Sequence, residues 1–271
     1  MPELASIPGM FDTIHVVDTF PARKVFTCGK LQGCLLFDPP ADHLYPQCSC
    51  GPGPVTDTTY QLAWLMAGAR HPKGRGLMLG LGAGSGAVAL LHHFPEISLE
   101  VVEIDPDMIK VARRYFPLVS YFEQGGRLKV INDDASSFLS GNPSPYDFAL
   151  IDISVDGAKA QQLLLSSTFA ESLTRVADEI WINALTSREK PFLANLVATH
   201  AGLTNLFSSE SLSAWLPIER NWIATSANVD LDASQALRLY PGIATESAQK
   251  ARRLYATLVT HHMSCAGMSE A

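Results

Sequence analysis

Long apolar runs are missing from this 271-residue sequence. None reaches the eighteen or so residues that a membrane-spanning helix requires, so no membrane partner is expected. Residues Met1 to Met10 lack a basic start followed by an apolar stretch. A signal peptide is therefore not expected, and a cytoplasmic setting is. Basic residues are scarce: 20 Lys and Arg stand against 27 Asp and Glu, a formal charge of −7. Phosphate backbones call for a basic face, so a nucleic-acid partner is not expected, whereas a cationic substrate is compatible with the balance. Cysteine is sparse and odd in number, with Cys28, Cys34, Cys48, Cys50 and Cys265. That count fits reduced thiols better than a disulfide framework. Cys48-Ser49-Cys50 is too tight for a two-residue zinc knuckle, and no Cys or His pair follows at zinc-finger spacing. His92-His93 and His261-His262 are adjacent pairs, and neighbours on a helix point in different directions. No metal is expected.

What is present is the composition of a globular protein, 47% hydrophobic and 17% charged. The first fifty residues read as β: Thr13–Val17, Lys24–Thr27 and Leu31–Phe37 are short β-branched or aromatic runs punctuated by Pro21, Gly29 and Gly33. Asp38 to Pro54 carries five prolines and two glycines without periodicity, and reads as a long loop between two units. From Thr56 the pattern changes. A helix running to about Arg70 is followed by alternating strands and helices. The strands are Gly76–Leu81, Leu99–Ile104, Leu128–Ile131, Phe148–Ile153 and Glu179–Asn183. The helices are Ser85–Phe94, Pro106–Phe116, Ala135–Leu139, Phe169–Val176 and Glu189–His200. Trp222–Thr225 reads as a late strand, and Ala233–His262 as partly helical with a break at Pro241-Gly242. Apolar strands alternating with helices imply a doubly wound, mostly parallel, Rossmann-like sheet covered on both faces. The expected division is a small β domain over residues 1–54 and an α/β domain over 55–271.

The chemistry concentrates around Leu79-Gly80-Leu81-Gly82-Ala83-Gly84-Ser85-Gly86, between an apolar strand and a helix. Gly80, Gly82 and Gly84 permit a sharp turn and a close approach to the main chain. About twenty residues later the next strand ends in Val102-Glu103-Ile104-Asp105, where an acid can take both ribose hydroxyls of a nucleoside. These two features alone would also suit a nicotinamide dinucleotide. The third strand is followed by Asn132-Asp133-Asp134-Ala135, and the fourth ends near Asp152. Acids at the ends of successive parallel strands converge on the crevice where such sheets bind ligands.

The stretch from Thr56 to Asp156 resembles the spermidine synthase family, the polyamine aminopropyltransferases. The run Val102-Glu103-Ile104-Asp105-Pro106-Asp107, continuing into Val111-Ala112-Arg113-Arg114-Tyr115-Phe116-Pro117, is close to that family's second motif. Tyr60-Gln61 resembles its substrate-contacting pair, and Gly29-Lys30-Leu31-Gln32 stands in the place of its N-terminal hairpin. The resemblance implies a methyltransferase-like sheet and decarboxylated S-adenosylmethionine as co-substrate, with S-adenosylmethionine as the alternative. It implies a small-molecule amine as acceptor, and a homodimer is among the compatible assemblies. Carried over by position, Glu103 holds the ribose, Asp134 the adenine amine and Ala135 the backbone beside the adenine. Gln32 reaches the co-substrate from the hairpin, Asp152 is the catalytic acid, and Tyr60, Gln61 and Asp156 line the amine site. The sequence departs from the family in three places: Ala83 stands where an aspartate is usual, three residues separate Asp152 from Asp156 where the family has two, and the acidic run before Tyr60 is reduced to Asp57. Three readings follow: an aminopropyltransferase, an S-adenosylmethionine-dependent methyltransferase of a small molecule, or a non-catalytic nucleoside-binding module.

Overall fold

The computed structural model describes residues 3–19, 22–36, 64, 67, 68, 70–153, 166–185, 214–218 and 221–225. Four strands, β1 (Glu3–Pro8), β2 (Thr13–Thr19), β3 (Ala22–Thr27) and β4 (Lys30–Leu36), form an antiparallel sheet in sequence order. The tight turn at Cys28-Gly29 between β3 and β4 has positive φ at both residues, 49° and 66°, a conformation glycine adopts freely. β1 was not foreseen from the sequence. It is largely exposed and polar-flanked, and it is held by its pairing with β2 rather than by its own pattern.

The larger sheet has seven strands. The parallel part comprises β5 (Arg75–Leu79), β6 (Ser98–Glu103), β7 (Leu128–Asn132), β8 (Tyr146–Ile151) and β9 (Ala177–Leu185). A hairpin of β10 (Ala214–Ile218) and β11 (Asn221–Thr225) adds to the free side of β9 in antiparallel sense. The order is β10-β11-β9-β8-β5-β6-β7. The chain therefore winds outward from β5 through β6 to β7, returns to β8 on the other side of β5, and winds on to β9. That reversal places a crevice at the carboxyl ends of β5 and β8.

The apolar strands bury both faces, as a covered parallel sheet requires. Met78, Leu99, Val101, Phe148, Leu150 and Trp181 pack on one side with α1 (Ser85–His93), α2 (Pro106–Tyr115) and α3 (Pro117–Gln124). Leu77, Leu79, Val102, Ala149, Ile151, Ile180 and Ile182 pack on the other with α4 (Ala135–Ser140) and α5 (Ser167–Val176). Ile14, Val16 and Val25 of the small sheet join the first core, as do Trp64 and Ala67, which are helical.

Boundaries differ from expectation where backbone conformation intervenes. β5 stops at Leu79, not Leu81, because Gly80 turns at φ 96°. α2 ends at Tyr115, and Pro117 starts the unforeseen α3 at a position where its missing N–H costs nothing. β8 begins at Tyr146 and ends at Ile151, which leaves Asp152 just beyond the strand. The expected loop 38–54, the start of the helix before β5, and the expected helices 189–200 and 233–262 lie outside the described residues.

Asp105 joins the two sheets. Its Oδ1 caps α2 by accepting from Asp107 N and Met108 N, and its Oδ2 accepts from Met10 N at 2.9 Å. Asp105→Ala should lower stability by about 1–2 kcal/mol through the lost cap, and further through the unpaired Met10 N–H. Asp107→Ala, which loses only an exposed bond to Lys110, should change it by less than about 0.5 kcal/mol. Urea denaturation of the two variants checks the difference.

Candidate active site

The glycine loop lies at the crevice, immediately after β5. Gly80, Gly82 and Gly84 have φ of 96°, 53° and 82°, which only glycine adopts without strain. The close approaches these glycines permit are to the protein itself. A side chain at Gly80 would run into the Asp152 carbonyl. One at Gly82 would sit 2.7 Å from the Gln32 carbonyl, and one at Gly84 2.5 Å from Val119. The loop is thus nested between the end of β8, the strand β4 and α3. Gly80 N donates to Val102 O and Asp152 N to Leu79 O, both at 2.8 Å, which extends the sheet ladder one step past the strand ends.

Glu103, at the end of β6, reaches under the loop. Its Oε2 accepts from Leu81 N at 2.8 Å and Gly82 N at 3.4 Å, and its Oε1 from Asp105 N at 3.0 Å. Burial pushes its carboxyl above the ordinary glutamate range, and these donors only partly offset that. Next to it, Asn132 Nδ2 donates to the carbonyls of Glu103 and Ile104 at 2.9 and 3.0 Å. Asp134 caps α4 with one oxygen, Oδ1, which accepts from Ser136 N and Ser137 N. Its other oxygen is not used by the cap, nor is the first N–H of the helix, that of Ala135. Asp134 is exposed and Glu103 half-buried, so both face an open side of the crevice.

Strand β4 closes over the loop. Gln32 O accepts from Ala83 N at 3.2 Å. Gly33 sits so near Ala83 that an added Cβ would lie 2.6 Å from the Ala83 Cβ and 2.6 Å from Ser85 Oγ. Ala83 is 1% exposed, so a longer acidic side chain has no room there. The departure from the family's aspartate therefore has a steric partner in Gly33, which the sequence reading passed over.

Asp152 lies at the mouth of the crevice, half-buried, beside the glycine loop. Its Oδ1 accepts from Asn183 Nδ2 at 2.8 Å. Asn183 enters the sequence analysis only as the end of a strand, not as a site residue. The signal was there: a lone amide in the run Ile180-Trp181-Ile182-Asn183-Ala184-Leu185, where strand residues otherwise fit an apolar surface. The structure thus brings Gly80, Gly82, Gly84, Gln32, Glu103 and Asp152 together around one loop, with Asp134 and Ala135 after the neighbouring strand. Tyr60, Gln61 and Asp156 lie outside the described residues. Among the described residues no three His, Cys, Asp or Glu side chains gather where they could hold a metal ion.

Comparison with known proteins bears on this arrangement. The model of the spermine/spermidine synthase domain matches residues 66–204. A polyamine aminopropyltransferase of Vibrio vulnificus is 37% identical over 79 residues, 28% of this chain and 25% of that protein. The human eEF1A lysine and N-terminal methyltransferase is 30% identical over 135 residues, 47% of this chain and 18% of that protein. The matched segments thus span a quarter or less of these curated relatives. In fold, a crystal structure of a probable spermidine synthase from Corynebacterium glutamicum superposes with a TM-score of 0.62 at 18% identity, covering 88% of this chain and 87% of the other.

The raised Glu103 carboxyl predicts a pH trend. An acid whose folded pKa lies above its unfolded value favours the folded state at low pH, and that contribution is lost as pH rises through the folded value. Glu103→Gln has no such titration. Its stability relative to the parent should therefore increase as pH rises from the ordinary glutamate range, near 4.5, through the raised value. Urea denaturation across a pH series measures this, and a relative stability that falls over the window would mean that the N–H donors outweigh burial.

Proposed function

We propose that this chain, which belongs to the spermine/spermidine synthase domain family, moves an aminopropyl group from decarboxylated S-adenosylmethionine to a small-molecule amine. The observation that carries the reading is the place of Asp152. A carboxylate stands at the switch point of the sheet, on a residue whose backbone packs against Gly80, and it accepts a hydrogen bond from the Asn183 amide. The co-substrate's sulfonium supplies an activated carbon. The amine nitrogen bonds to that carbon, the carbon–sulfur bond breaks with its electron pair going to sulfur, and the amine gives up a proton.

The residues of the chain divide this work. Glu103 presents a carboxylate edge that suits two ribose hydroxyls. The cap-free oxygen of Asp134 and the Ala135 N–H suit the edge of an adenine, which offers both a donor and an acceptor. Gln32 supports the loop through its carbonyl. Asp152 attracts and orients the ammonium form of the acceptor and takes a proton from it, which frees the nitrogen lone pair that forms the new bond. Tyr60, Gln61 and Asp156 complete the amine site in this proposal. The proposed division is residues 1–54, whose strand β4 covers the loop, and 55–271, which carries the chemistry. No described helix is long and apolar enough to cross a membrane.

A second reading, methyl transfer from S-adenosylmethionine, is favoured by one observation. The glycine loop carries Ala83 sealed under Gly33, so it offers no acid to the transferred arm. Calorimetric binding of the carboxylated and decarboxylated co-substrates side by side separates the two.

The aminopropyl reading predicts that Asp152→Asn keeps co-substrate affinity, because the swap is nearly isosteric, and lowers turnover of amine by about 10²-fold or more. Steady-state kinetics with a diamine, alongside calorimetry with the co-substrate, checks both halves. Wild-type turnover in the variant removes Asp152 from the mechanism.

A further inference from the structure

Asn183 is a costly residue in its setting. It lies within β9, is 5% exposed, and interrupts the apolar sequence of a covered strand. The register explains where it points. Ile151 pairs with Ile182 in the parallel ladder between β8 and β9, so the next residues on each strand, Asp152 and Asn183, are neighbours. By alternation each shares a face with the residue two before it, Leu150 and Trp181. Both of those belong to the core that also contains the small sheet and the helical Trp64 and Ala67. On its other side Asn183 pairs with Ile223 of β11, so its backbone is fixed by a strand on each flank.

The side chain has one use for its amide hydrogens in the described structure: Nδ2 donates to Asp152 Oδ1 at 2.8 Å. A carboxylate only accepts, so the amide must present its nitrogen there, and its oxygen is forced to the other side. That oxygen, Oδ1, is buried and meets no donor among the described residues. An unpaired buried acceptor is unfavourable, and an apolar residue of the same size would avoid it. Against that unpaired oxygen stands the one bond the amide makes, the one to Asp152.

We propose that Asn183 is a positioning residue for Asp152: it holds the carboxylate in one orientation at the crevice and, as a neutral donor, keeps it an anion. This rests on the aminopropyl-transfer reading only for the purpose that the orientation serves; the bond and its effect on the carboxylate stand apart from it. A rigid donor on a doubly flanked strand removes the rotational freedom of Asp152 before the amine arrives. A charged donor there would compete with the cationic amine for the carboxylate, whereas an amide does not.

Two substitutions test this. Asn183→Leu removes the donor and the unpaired oxygen together. Asn183→Asp keeps the shape and replaces the donor by an acid, and two carboxylates at this separation cannot both ionise readily. The expected result is a kcat lower by about 10-fold or more with a diamine in both variants, with co-substrate affinity unchanged. Carboxyl-carbon NMR titration, with the Asp152 resonance assigned by its absence in Asp152→Asn, should show that resonance titrating at higher pH in both variants than in the parent. A variant with an unmoved Asp152 titration overturns the proposal, whatever the activity. So does Asn183→Leu with a lowered melting temperature and unchanged kcat, since that is the signature of a purely structural residue. A parent protein that turns over no amine, together with a shifted Asp152 titration in the variants, contradicts the aminopropyl reading and leaves the positioning of Asp152 supported. If Asn183→Leu does not fold, Asn183→Asp carries the same titration readout.

Discussion

The carboxylate of Glu103 organises the site. It gathers three backbone N–H groups, from Leu81, Gly82 and Asp105, so that one side chain at the tip of β6 ties the glycine loop after β5 to the start of α2. Buried backbone donors must be paired, and in a loop of glycines no side chain of the loop can do it. Asp105 then extends the tie to the small sheet through Met10. Two acids of one motif, Glu103 and Asp105, thereby fix the loop, the helix and the N-terminal sheet relative to the strand ends. Any ligand that takes over Glu103 competes with those N–H groups, so the loop and the ligand site are one structure.

The glycine loop follows from the same constraint. Its glycines are required by contacts with Asp152, Gln32 and Val119, not by an empty approach path. This couples the two halves of the proposed chemistry: the loop proposed to face the nucleoside is packed directly on the backbone of the residue proposed to serve the amine. Gly33 and Ala83 add a third contact, between the small sheet and the loop. A change at any of these positions is transmitted to the others through hard contacts, which interiors packed at crystal density do not absorb.

The parallel sheet was legible in the sequence because strands buried on both faces read as unbroken apolar runs, as in Phe148-Ala149-Leu150-Ile151. Glu103 and Asp152 stand out as candidates for a related reason, each being the first acid after such a run, whereas Asp134 follows Asp133 and is named by the family resemblance alone. β1 and β10 were not legible, because edge strands take their conformation from a partner and carry little pattern of their own. α3 was hidden by Pro117, which reads as a stop signal yet also suits a helix start. Asn183 and Gly33 were missed because their meaning lies in a partner remote in sequence: Asp152 across a strand register, and Ala83 across two sheets. No local periodicity encodes either.

In the proposed reaction a nucleoside sulfonium bound at these strand ends gives up its aminopropyl arm to an amine held by Asp152. Mass spectrometry of the nucleoside product distinguishes this reaction from methyl transfer, after the protein is incubated with a diamine and each form of the co-substrate in turn. Aminopropyl transfer breaks the bond to the three-carbon arm and leaves the methyl group on sulfur, so the expected product is methylthioadenosine, formed only with the decarboxylated co-substrate. Adenosylhomocysteine formed from S-adenosylmethionine, with no methylthioadenosine from the decarboxylated form, would contradict it.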